Sequence, residues 1–214
     1  MAFCQKYPGG TEIELSMLFV DVRGSTSLAE RMNASDYSRL MNRFYKAATD
    51  VLIRTDAFID QFVGDEAIGL YIPLFTGPNH AHAAVMGDQE LLQTMGYGGR
   101  QEPWIPVGVG VHTGIVFFGT ISGSEGSVTD LAALGDNVNI TARIASKAGS
   151  GEALISEVAY TSAGLNLGNL EQRQLELKGK SEPMDVRMLG NAARTHLSAA
   201  RIVSPPRFVA HVHP

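Results

Sequence analysis

The sequence predicts an α+β fold, an antiparallel-dominated sheet with helices packed on it. Short apolar runs come in adjacent pairs, at 58–63 with 67–72 and at 105–111 with 115–121, as antiparallel hairpins require. Segments with apolar residues at helical spacing stand before, between and after these pairs, at 27–55, 78–95 and 137–147. Helices therefore alternate with strand pairs rather than with single parallel strands. The 214 residues are 44% apolar and 18% charged, ordinary for a globular domain that hides roughly 70% of its unfolded surface.

The first strand is expected at 13–22. Met17-Leu18-Phe19-Val20 is a continuous apolar run that stops at Asp21, and Arg23-Gly24-Ser25-Thr26 follows as a turn. Over 27–55, Leu40, Phe44, Ala47, Ala48 and Val51 recur at helical spacing, with a break at 33–36 and Ser35 as the expected N-cap. Strands at 58–63 and 67–72 flank the hairpin signal Gly64-Asp65. The helix at 78–95 has Pro78 near its start and ends in Gly96-Tyr97-Gly98-Gly99. Strands at 105–111 and 115–121 stand either side of His112-Thr113-Gly114, and 122–129 is expected as loop. A helix at 137–147 has Gly149 past its end. A short strand at 154–155, a helix at 156–163 and closing strands at 175–177 and 184–189 complete one domain over 11–192. Residues 193–214, with Pro205-Pro206, read as a C-terminal tail.

The charge balance is 17 basic against 22 acidic residues, net −5. No broad basic surface is available, so a nucleic acid polymer is not an expected partner. The single Cys4 excludes an internal disulfide and argues against a Cys-based zinc site. The longest apolar stretch, 67–75, is far short of the ~20 residues that span a bilayer. No membrane span and no secretory leader are expected, and the expected location is cytoplasmic.

Four groups of residues could carry chemistry. Asp21 ends a strand and Asp65 sits at a hairpin tip, where rigid backbone can hold a hard cation. The turn at 23–26 could present amides to phosphate. Either Asp alone also fits a plain turn former. In Leu134-Gly135-Asp136-Asn137-Val138-Asn139-Ile140-Thr141-Ala142-Arg143, Asn139 and Arg143 share a helix face. That amide and guanidinium suit an oxygen-rich anion, and equally a solvated face. Leu177-Lys178-Gly179-Lys180 by itself reads as a turn.

Taken together, the four groups resemble class III nucleotidyl cyclases. Leu18-Phe19-Val20-Asp21-Val22-Arg23-Gly24-Ser25-Thr26 is similar to the first metal motif of that family, and Phe62-Val63-Gly64-Asp65, 44 residues on, to the second. The segment 130–143 resembles the catalytic-helix signature, and Leu177-Lys178-Gly179-Lys180 with Pro183 the C-terminal strand motif. The resemblance covers about 13–189, in order. It implies the ferredoxin-like cyclase homology domain and conversion of a nucleoside triphosphate to a 3′,5′-cyclic monophosphate and pyrophosphate.

By the same resemblance, two Mg²⁺ or Mn²⁺ ions per site would be held by Asp21, Asp65 and the Val22 carbonyl, with Val22, Arg23, Gly24, Ser25 and Thr26 around the triphosphate. Asn139 would orient the ribose, and Arg143 and Lys178 would stabilise the phosphoryl charge. The family draws its metal residues and its Asn/Arg pair from different chains. A homodimer is therefore implied, with room for a regulatory domain outside this chain.

The base-reading positions depart from the family pattern. Gln61 stands where adenylate cyclases carry Lys, and Ala132 where they carry Asp or Thr. The Glu and small polar residue of guanylate cyclases are absent too. ATP leads as the commonest substrate, with GTP, a pyrimidine nucleotide or a catalytically weak nucleotide-binding module as alternatives. Val63-Gly64-Asp65-Glu66-Ala67 partly imitates the hairpin of diguanylate cyclases, which lack the Asn139/Arg143 helix. His80, His82 and His112 read as structural, and Trp104 as a strand-start anchor.

Overall fold

The computed structural model describes residues 9–99, 102–122 and 129–190; for Gln61, Val63, 121–122 and 129–130 it describes the backbone alone. In chain order the elements are β1 (Gly10–Val22), α1 (Ser25–Arg31), α2 (Ala34–Arg54), β2 (Phe58–Val63), β3 (Glu66–Tyr71) and the single turn α3 (Pro73–Thr76). A 3₁₀ turn (Gly77–Asn79) leads into α4 (His80–Thr94). Then follow β4 (Val107–Ser122), β5 (Thr129–Leu134), α5 (Asp136–Lys147), β6 (Ala153–Ser156), α6 (Glu157–Ala163), β7 (Glu171–Leu175) and β8 (Met184–Leu189).

The sheet runs β2-β3-β1-β4-β6-β8-β7, and β5 pairs with the far end of β4. Among the described residues, only β4 and β6 pair in parallel. The first four strands, with the helices between them, form the split βαβ arrangement of a ferredoxin-like core. β1 is central because both of its faces are apolar: Leu15, Met17, Leu18, Phe19 and Val20 are all buried.

Alternate residues of β1 serve two cores. Leu18, Val20 and Val22 pack with Phe44, Val51 and Leu52 of α2 and Ala84 and Leu91 of α4. Leu15, Met17 and Phe19 face the other way, against Ile68, Phe118 and Ala145 of α5. Helix α5 also covers Leu154, Leu177 and Val186 through Ile140 and Ile144. It lies close to β4 because Gly110 leaves room: a Cβ there would stand 2.8 Å from the Ala145 Cα.

Several elements differ from the sequence reading. The segments 105–111 and 115–121 are one strand, β4, which runs unbroken through His112-Thr113-Gly114 in register with β1. Gly114 is there for a close approach rather than a turn, as its position faces the Asn137 side chain. β5 begins at Thr129, inside the expected loop, because β6 covers only residues 109–111 on its edge of β4, and the far end of β4 takes β5 as its partner there. The N-cap of α2 is Asn33 rather than Ser35: its side-chain Oδ1 accepts the Asp36 backbone amide at 2.9 Å and its Nδ2 donates to the Asp36 carboxylate at 2.7 Å. Helix α4 begins at His80 rather than Pro78. β7 is the polar edge segment Glu171–Leu175 rather than 175–177, and Leu177 is buried beneath α5.

The Gly64-Asp65 hairpin stands as read, flanked by the pair Val63 and Glu66. Trp104 donates to the Thr94 carbonyl at 3.0 Å and carries the Arg43 guanidinium 4.1 Å from its ring centroid. His80 and His82 have separate partners, Ser16 and the Ala163 carbonyl. Residues 123–128 of the expected loop and the tail at 193–214 lie outside the described residues. Among the described residues, no helix is long and apolar enough to cross a membrane.

Candidate active site

Asp21 follows Phe19 on the α5 side of β1, at the rim of the sheet, where it pairs with Glu66 on one side and Gly108 on the other. The Val22 amide donates to the Asp65 carbonyl at 3.1 Å, which seats the hairpin tip beside the strand end. The Tyr45 hydroxyl of α2 holds the same tip through the Gly64 carbonyl. The carboxylates of Asp21 and Asp65 thus come together. Burial pushes the Asp21 carboxyl up, Arg23 pulls it back and Asp65 raises it again. Glu66 is pushed up to about 7, by burial first and then by the charges of Asp21 and Asp65.

Arg23 forms an ion pair with Asp21, passes over Gly108 and donates to the Ser146 carbonyl at 3.1 Å. It therefore places a cation at the C-terminal end of α5, where helix carbonyls lack partners. Gly24 takes a left-handed conformation, φ 67°, directly before α1. The first amides of that helix, from Ser25 and Thr26 onward, have no acceptor within the helix. Thr26 is exposed and Ser25 half-buried.

The second set lies on the outer face of α5. Arg143, Ser146 and Lys147 of that helix and Lys178, Gly179 and Lys180 of the β7–β8 connection line a cavity of about 580 Å³. Leu177 anchors the connection in the core below α5, and Lys180 pairs with Asp136 at the start of the helix. Arg143 and Lys178 are thereby brought to one space. Asn139 is exposed one turn before Arg143 on the same face, outside the cavity lining. Neither Asp21 nor Asp65 lines this cavity.

The base-reading candidates are placed in part. Ala132 is half-buried in β5 opposite Gly119. The backbone of Gln61 lies in β2, at a bulge in the pairing with β3, and its side chain lies outside the described residues. Glu66 is a third carboxylate beside Asp21 and Asp65 that the motifs did not single out. Its signal was its position right after Asp65, but only the strand register sets it opposite Asp21. Among the described residues, no group of three or more His, Cys, Asp or Glu side chains is arranged to hold a metal ion.

The family model described as the adenylate and guanylate cyclase catalytic domain matches residues 10–191. The chain belongs to that family. It is 32% identical over 135 residues to an adenylate cyclase of Anabaena cylindrica, a match covering 61% of this chain and 26% of that protein. It is 26% identical over 185 residues to the terminal-differentiation-specific adenylate cyclase of Dictyostelium discoideum, covering 80% of this chain and 8% of that one. The chain thus spans only a fraction of the length of these relatives. Among solved structures it resembles the guanylyl cyclase Cya2, with TM-score 0.75, 29% identity and coverage of 84% of this chain and 93% of that one. The adenylyl cyclase CyaB from P. aeruginosa shares the fold, with TM-score 0.72, 24% identity and coverage of 84% and 94%. The cyclase homology fold, with its open and mostly antiparallel sheet, is therefore the fold of this domain.

Proposed function

We propose that residues 11–192 form the catalytic domain of a nucleotidyl cyclase, acting at sites shared between two copies of this chain. Its substrate is a nucleoside triphosphate, ATP first. The products are the 3′,5′-cyclic monophosphate and pyrophosphate. Residues 193–214 are then a tail outside the catalytic unit, and a nucleoside triphosphate substrate fits a cytoplasmic location. One observation carries the reading. The acidic pair Asp21/Asp65 does not line the cavity that the cationic pair Arg143/Lys178 lines on the same chain, and the reaction needs both kinds of group around one triphosphate.

The acidic end suits Mg²⁺ or Mn²⁺. Its donors are hard oxygens, and the two carboxylates face each other closely enough for Asp65 to raise Asp21. Mg²⁺ binds through one or two carboxylates completed by substrate phosphates, in keeping with a pair of aspartates and the Val22 carbonyl rather than a full protein cage. Two such ions, when bound, would offset triphosphate charge and lower the pKa of the ribose 3′-hydroxyl.

The chain's own groups do the rest. Amides of the 22–26 turn and the start of α1 receive phosphate oxygens. Asn139 holds the ribose so that its 3′-oxygen faces the α-phosphorus. As the O3′–P bond forms and the bond from the α-phosphorus to the bridging oxygen breaks, Arg143 and Lys178 donate to the phosphoryl oxygens that gain charge.

The base is the finer point. Ala132 can give no side-chain hydrogen bond, and a Gln amide can donate or accept. The Anabaena relative is named an adenylate cyclase and Cya2 a guanylyl cyclase. The test is a panel of ATP, GTP, CTP and UTP with Mn²⁺ or Mg²⁺, with products identified by mass. Cyclic AMP is expected, with modest selectivity over GTP. Asp21→Ala and Asp65→Ala should each remove turnover while the protein stays folded. Near-wild-type turnover by either variant refutes the two-metal site. Strict GTP or pyrimidine selectivity reassigns the base.

A further inference from the structure

Strand β4 presents Gly108, Gly110, His112 and Gly114 in alternation toward α5: Ala148 stands over Gly108, Ala145 over Gly110 and Asn137 over Gly114. Three glycines let the helix lie close. His112 alone in this row has a side chain, and it is buried. Its Nε2 stands 3.0 Å from the Asn137 Oδ1, and its Nδ1 stands 2.8 Å from the Ser156 Oγ. Asn137 also donates from Nδ2 to the Ile115 carbonyl at 2.8 Å. The Ser156 hydroxyl oxygen accepts the Ala159 amide at 3.2 Å, as the N-cap of α6.

The directions of these bonds are forced. The Ile115 carbonyl can only accept, so Asn137 must turn its NH₂ that way and offer its oxygen to His112. His112 then carries its proton on Nε2 and leaves Nδ1 bare, and Ser156 donates to Nδ1. Every polar atom in the chain of contacts has a partner of the right kind. One neutral tautomer of a buried ring thus links β4, the start of α5 and the β6–α6 junction. Burial holds the ring below the ordinary imidazole range, and the charged groups acting on it are Asp136 and Lys180, which pair with each other.

We propose that His112, acting through Asn137, is a positioning residue for the catalytic helix. It fixes the rotation and height of the first turn of α5, and so aims Asn139 and Arg143. Asn137 precedes Asn139 by two residues and lies on the sheet-facing side, so a shift of its seat turns the outer face by the same angle. An error of about 1 Å in a reacting group costs on the order of a hundredfold in rate. This rests on the cyclase reading above, because Asn139 and Arg143 matter only if the helix is catalytic.

Two substitutions separate the two bonds of the ring. A Gln at 112 reaches the Nε2 position and can still donate to Asn137. An Asn reaches only the Nδ1 position and can still accept from Ser156. The expected result is that His112→Gln keeps kcat within about threefold, whereas His112→Asn loses tenfold or more in kcat with KM within threefold. Mn²⁺ affinity, read by electron paramagnetic resonance, should be unchanged in both.

Gly114→Ala tests the same seat from the strand, since its Cβ would stand 2.6 Å from the Asn137 Nδ2. It should lower kcat in the wild-type background and change nothing further in an Asn137→Ala background. Equal kcat for the Gln and Asn variants, or additive effects of Gly114→Ala and Asn137→Ala, overturns the proposal. If the wild type turns over no nucleotide, the cyclase reading itself fails. Hydrogen exchange over 137–143 still decides the seat, by faster exchange in His112→Asn than in His112→Gln or by equal exchange in both.

Discussion

At Glu66, strand register sets a third carboxylate against Asp21 and Asp65, and its carboxyl is pushed up to about 7. The folded chain therefore binds this proton more tightly than the unfolded chain. The stability tied to it is present at acidic pH and is lost as pH rises from the ordinary carboxylate range through about 7. With chelator present, Glu66→Gln should raise the melting temperature at pH 8 and leave it unchanged near pH 4, as read by calorimetry. Equal shifts at both pH values would refute the electrostatic origin. Asp21 and Asp65 were legible without the structure because each sits at a turn that its neighbours announce. Glu66 and the reach of Arg23 to Ser146 were not, because both depend on partners brought in from other strands and helices.

Helices α2 and α5 hold the site from opposite faces of the sheet, and they fail differently. The Asn33 cap on α2 is local, and Asn33→Ala should cost about 1 kcal/mol of stability while turnover per folded molecule stays the same. Gly110 is a contact between elements. Adding a methyl group against the Ala145 backbone pushes α5 off the sheet, so Gly110→Ala should cost about 1–3 kcal/mol and lower kcat as well. Urea melts paired with kcat on the folded fraction separate the two. A Gly110→Ala variant with full kcat would show that the height of α5 over β4 does not control the site. The helix itself was readable from its spacing. The 2.8 Å approach at Gly110 was not, since a glycine in a strand announces a bulge, a bend or a close neighbour with equal force.

Across the whole molecule, the Asp21/Asp65 pair does not line the cavity of Arg143 and Lys178 on the same chain, which is the physical case for the proposed shared site. Asp65→Ala and Arg143→Ala should each be inactive alone. Mixed, they should recover at most about a quarter of wild-type turnover, because half the dimers are mixed and each keeps one intact site. Specific activity should also fall on dilution through the dimer Kd. Mixed dimers that form without recovery would show that each chain builds its own site.

What the sequence determined by itself is local: the apolar run that ends at Asp21, the Gly64-Asp65 turn, and the helical spacing that puts Asn139 and Arg143 on one face. Such signals survive because they need only neighbours along the chain. The tertiary structure alone decided that β4 passes straight through His112-Thr113-Gly114, that Ala-rich 129–134 becomes a strand because β4 needs a partner, and that polar 171–175 closes the far edge. These outcomes follow from contacts between residues far apart in sequence. Burial and hydrogen-bond pairing across the sheet there outweigh propensities of at most about 1 kcal/mol per residue.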